Sequence, residues 1–148
     1  MVFFGAMRRL LQICLAFCFL GFLPAQGATT LSVNRITVKG LEVRGLECRL
    51  DSKAEVAATT IVAALAREKK HLDACDLEGG AYAVVLSWSK GKRRVAKVRR
   101  ASNRKAKRCI LKLLRNVNPA VQGRCSATIL VGASKGAREA AQSLEKAK

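Results

Sequence analysis

Cysteine is the residue type with the most chemistry to offer in this chain. Cys14 and Cys18 lie in an apolar N-terminal run, and Cys48, Cys75, Cys109 and Cys125 follow it. Four thiols in one domain can pair as disulfides, ligate zinc or supply a thiolate nucleophile. Zinc sites use short spacings such as C-x-x-C or H-x-x-x-H, and neither occurs here. A thiolate needs a base beside it. His71, the only histidine, precedes Cys75 by four residues, so both would share one helix face. Two structural disulfides are the plainer reading, and the sequence leaves three connectivities open. Other nucleophiles lack context. Ser87, Ser89 and Ser126 have no G-x-S-x-G around them, the acids are scattered, and Gly132-Ala133-Ser134-Lys135-Gly136 lacks the G-K-[ST] ending of a phosphate loop. The chain therefore reads as non-enzymatic, with no cofactor, no metal and no small-molecule substrate.

The N-terminus sets the expected compartment. Arg8 and Arg9 precede an apolar run from Leu10 to Leu23, followed by Pro24-Ala25-Gln26-Gly27. A charged start, a greasy middle and small residues before the cut make a secretory signal over residues 1–27, with Ala25 and Gly27 at the −3 and −1 positions. The run is short for a membrane span, which takes about 20 apolar residues; an uncleaved anchor is the alternative. Phe17 before Cys18 argues against a lipid-attachment site. Export to the periplasm or beyond is oxidising and suits disulfides. Removing Arg8 and Arg9 from the net charge of +18 leaves +16. Residues 28–148 suffice for one domain with a modest core.

Several elements must position the cysteines. Residues 28–50 read as an N-terminal strand region, with Leu31–Lys39 rich in β-branched residues. Two copies of Gly-Leu-Glu-x-Arg follow, Gly40–Arg44 and Gly45–Arg49, read as a bent or paired strand with glycines at the bends. Ser52 and Glu55 have capping-box spacing for a helix running to Cys75, with Ile61, Leu65, Leu72 and Cys75 on one face. In the segment Ala81–Ser89, Tyr82, Val84, Leu86 and Trp88 alternate with Ala81, Ala83, Val85 and Ser87. Lys90-Gly91-Lys92 is the turn of a hairpin that returns over Arg93–Ala101. Ser102-Asn103 caps a second helix, whose apolar stripe is Ala106, Cys109, Ile110, Leu113 and Leu114. Asn118-Pro119 stops it, Cys125–Val131 is a last strand, and residues 135–148 form a terminal helix that frays. The whole is an α+β domain, a small mainly antiparallel sheet with helices on one face, its main body at residues 51–134.

Over about residues 71–132 this order resembles the C-terminal domain of the AgmX/PglI type, a relative of the TonB C-terminal domain. The matching pieces are His71-Leu72-Asp73-Ala74-Cys75 closing a helix and Trp88-Ser89-Lys90-Gly91 at the hairpin turn. Val95 and Val98 follow in the return strand, with Cys109-Ile110 in the second helix and a final strand after a proline-containing loop. Asp76 stands where the family usually carries an aromatic. The resemblance implies a Cys75–Cys109 disulfide, which leaves Cys48 to pair with Cys125. On a loop-entropy model the first contributes on the order of 3–4 kcal/mol and the second slightly more. It also implies a protein-interaction role, in which an envelope protein adds a strand to the sheet edge, within a TonB- or AgmX-like envelope or motility system.

Charge suggests a second role. Thirteen Lys or Arg residues lie between Lys90 and Arg115, and no acid occurs between Glu78 and Glu139. Lys92, Arg93, Arg94, Arg104, Lys105, Arg108, Lys112 and Arg115 are the expected contacts for a partner or polyanion. The alternative function is accordingly a free cationic protein that binds anionic envelope polymers by counterion release: lipopolysaccharide, acidic lipid headgroups or extracellular DNA. Tyr82 and Trp88, the candidates for base stacking, are expected in the core, which argues against sequence-specific nucleic-acid readout.

Overall fold

A computed structural model describes residues 28–51, 54–89 and 94–147. The segment expected to be a signal, the cap expected at Ser52 and the turn expected around Lys92 and Arg93 lie outside them. The described elements are β1 (Thr29–Val38), β2 (Leu41–Leu50), α1 (Ala54–Arg67), α2 (Lys69–Cys75), β3 (Gly80–Trp88), β4 (Val95–Ala101), α3 (Lys107–Leu114), β5 (Gly123–Val131) and α4 (Ser134–Lys146). All strand pairs are antiparallel, in the order β1-β2-β5-β3-β4.

Strand alternation builds the main core. Tyr82, Val84, Leu86 and Trp88 of β3 share one face with Cys125, Ala127, Ile129 and Val131 of β5. Leu41 and Val43 of β2 join them, then Leu46, Cys48 and Leu50. The change of phase between those two β2 sets is a bulge between Arg44 and Glu47, where Gly45 takes a positive φ. Lys39 and Gly40, both at positive φ, turn β1 into β2. The β1–β2 hairpin is no separate unit, because β2 pairs with β5 along its length.

Helices α1, α2 and α3 cover this face with Ile61, Val62, Leu65, Leu72, Ile110 and Leu114, each fully buried. The single helix expected up to Cys75 is two, α1 and α2, broken at Glu68. Asn103 caps the turn before α3, its Oδ1 accepting from the Lys105 and Ala106 amides at 3.0 and 3.4 Å. Ser102 serves elsewhere, accepting from the Ala81 amide at 2.9 Å.

Two expectations are corrected. Helices cover both faces of the sheet, not one. A second, smaller cluster of Ala81, Leu130, Ala137 and Ala141 lies on the reverse face, under α4. Nor does α4 fray free of the domain, because Ala137 and Ala141, one helical turn apart, are buried against the sheet. Gly132 directs the chain there. Its φ is +74°, and a Cβ at this point would meet the Asp76 carbonyl oxygen. The same crossing is held by Asp73, whose Oδ1 accepts from the Gly132 amide at 2.8 Å.

Candidate partner groove and the cysteines

The cysteines pair as Cys48–Cys125 and Cys75–Cys109. Cys48 and Cys125 are directly opposed on β2 and β5, their Cα atoms 4.1 Å apart, and both are buried in the main core. Cys75 and Cys109 link α2 to α3 across 5.7 Å, with Cys75 half-buried and Cys109 exposed. Cys109 thus leaves the expected apolar stripe of α3, where Ala106, Ile110 and Leu114 are buried. Both bonds consume the thiols that nucleophilic chemistry would need. His71 is exposed and its Nδ1 lies 3.3 Å from Glu68 Oε2.

Asp76 is the one buried charged residue among those described, 7% exposed. The Tyr82 hydroxyl donates to its Oδ2 at 2.5 Å. Burial first, and then this bond to a carboxylate, push the Tyr82 phenol far above its ordinary range. The pair ties β3 to the residue that follows α2.

The expected contact residues do not form one patch. Arg94, Lys112 and Arg115 meet in an open groove of about 1010 Å³ between β4 and α3. Among the described residues Lys97 and Lys107 bring its cations to five, and no acid lines it. Arg104 and Lys105 lie apart, around a hollow that also takes in Asp76, Glu78 and Asn103. Arg108 is exposed beside Cys109 and lines neither. Lys97 and Lys107 were missed as contacts, although both lie inside the Lys90–Arg115 charge run that could have signalled them.

The geometry of the groove is specific. β4 is an edge strand, paired with β3 alone. Its other edge faces the groove, with Val95 exposed at one end and the half-buried Leu111 of α3 opposite. The Arg94 guanidinium closes one end by donating to the Asn116 carbonyl at 3.3 Å. Trp88 fixes the same loop from below, its Nε1–H donating to the Val117 carbonyl at 3.1 Å. Lys107 and Arg108 occupy the first turn of α3, where the helix dipole disfavours positive charge. Such an arrangement costs stability in isolation and favours an anionic occupant. Comparison with known proteins supplies no relative: no family model, no curated protein and no solved structure matches the chain.

Proposed function

We propose that this chain is an exported, non-enzymatic interaction module that takes up an extended acidic segment of an envelope protein along the free edge of β4. The carrying observation is the β4–α3 groove. It combines an unpaired strand edge, which supplies main-chain hydrogen bonds, with apolar contacts at Val95 and Leu111 and, among the described residues, five cations without an acid. Two disulfides support an oxidising compartment. The resemblance to the AgmX/PglI type and its TonB relatives supports strand addition as the mode. The rival occupant is an anionic polymer, held by charge alone.

Hydrogen exchange separates the two. With a short peptide alternating valine and glutamate, every second amide of β4, those not bonded to β3, should gain protection on binding. Affinity should fall only modestly between low and moderate salt. Binding that leaves β4 exchange unchanged and collapses with salt would replace this reading with the polymer.

A further inference from the structure

The reverse face of the sheet carries a second cationic site, remote in character from the β4 edge. With Cys48 and Cys125 turned into the core, their neighbours Glu47, Arg49, Arg124 and Ser126 project from the opposite face. Register aligns them in rows across the strands. Thr30 faces Arg49, Arg49 faces Arg124, and Arg124 faces Ser87; in the next row Ser32 faces Glu47 and Glu47 faces Ser126. Arg99 from β4 joins Arg49 and Arg124 around an open hollow of about 540 Å³.

Arg49 and Arg124 are therefore like charges placed directly opposite each other, which destabilises a strand pair. Among the described residues neither they nor Arg99 forms an ion pair, and Glu47 is the hollow's one acid. The same sheet opposes Arg35 and Arg44, and there Glu42 bridges both, at 2.6 and 2.8 Å. The Arg35–Arg44 pair holds a carboxylate of its own, and none bridges Arg49 and Arg124 among the described residues.

We infer that the Arg49–Arg124–Arg99 hollow binds a phosphate group of a soluble phosphorylated ligand, which takes the place that Glu42 fills between Arg35 and Arg44. Three guanidinium forks match phosphate oxygens bidentately. Thr30, Ser32 and Ser126 add hydroxyl donors, more than the two oxygens of a carboxylate would use. Three arginines against Glu47 leave two positive charges, the charge that a phosphate dianion balances. Among the described residues the exposed large apolar side chains, Val56, Leu77 and Val95, all lie off this hollow, whose lining Leu31 is half-buried, and this favours a soluble ligand over a lipid surface. The inference is independent of the β4 groove.

Inorganic pyrophosphate is the probe, titrated calorimetrically into the oxidised protein at constant ionic strength. Saturable binding is expected, weakened about tenfold or more in Arg49→Gln and in Arg124→Gln. Lys112→Gln, in the β4 groove, should bind it as the parent does. If a variant fails to fold, amide shifts in the unmodified protein decide: pyrophosphate must move the signals of Thr30, Arg49, Arg124 and Ser126. Undiminished binding by Arg49→Gln, shifts confined to β4 and α3, or pyrophosphate no tighter than chloride would overturn the site. So would anionic phosphatidylglycerol vesicles that bind the protein while pyrophosphate fails to compete.

Discussion

The two copies of Gly-Leu-Glu-x-Arg behave differently although they share one strand and one face of the sheet. In the first, Glu42 accepts from Arg44 Nε at 2.8 Å and from Arg35 Nε at 2.8 Å. In the second, Glu47 and Arg49 have the same spacing, yet among the described residues neither is paired. The difference is cover. Helix α4 packs on β3 and β5 and reaches the first copy with its side chains, Arg138 Nε lying 3.8 Å from Glu42 and Glu145 3.9 Å from Arg44. The Glu42 and Arg44 side chains are only 13% and 17% exposed, so water competes weakly for their charges. Glu47 and Arg49 are exposed, and their attraction is screened. One sequence repeat thus makes a half-buried ion cluster where it is covered and a free cationic surface where it is not.

The largest effect should come from breaking the covered copy. Glu42→Gln leaves Arg35 and Arg44 opposed without a carboxylate, and should lower stability by about 1–2 kcal/mol in urea unfolding. Glu47→Gln should change it by less than about 0.5 kcal/mol. Equal losses would erase the contrast between the copies. The next effect has the opposite sign. Arg49→Glu converts the opposed arginines into an opposite-charge pair with Arg124, and should stabilise the ligand-free protein by about 0.2–1 kcal/mol. The same substitution should remove pyrophosphate binding. A variant that stabilises yet still binds would show that the hollow is not the site.

How much of this was legible beforehand follows from which residues depend on register. The alternation of Tyr82, Val84, Leu86 and Trp88 showed which side of β3 is core, because a strand's period is fixed locally. The apolar stripe of α3 was legible for the same reason, except at Cys109, which the bond to Cys75 holds at the surface. The opposition of Arg49 and Arg124 was not legible, since it depends on how β2 aligns with β5. The Cys48–Cys125 bond fixes that alignment, but connectivity was open in the sequence alone. The charge run at Lys90–Arg115 misled in part. It marked β4 and α3 correctly as cationic, yet folding spread Arg94, Arg104 and Arg108 over different surfaces. Of the reverse-face arginines only Arg99 lies in that run, whereas Arg49 and Arg124 stand outside it and far apart in sequence. The position of α4 was likewise hidden, because small alanines at helical spacing fit either face; the turn at Gly132 decides.

The smallest expected effect is the one with the clearest sign. Burial acts to raise the Glu42 carboxyl, but hydrogen bonds and charge from Arg44, and then Arg35, outweigh it and hold the group below its ordinary value of 4.5. An unfolded chain would bind its proton near 4.5, and the folded chain only at lower pH. The contribution of Glu42 is therefore complete above pH 4.5 and is lost as pH falls through the depressed value. In that window the parent should lose stability more steeply with acid than Glu42→Gln does. Arg49→Gln, which touches the pair lacking a carboxylate, should keep the parent's slope. Thermal unfolding of the three proteins between neutral pH and pH 3 makes the comparison. A shallower slope in Arg49→Gln would mean that Glu47 is coupled to Arg49 after all, and that the uncovered copy carries an ion pair like the covered one.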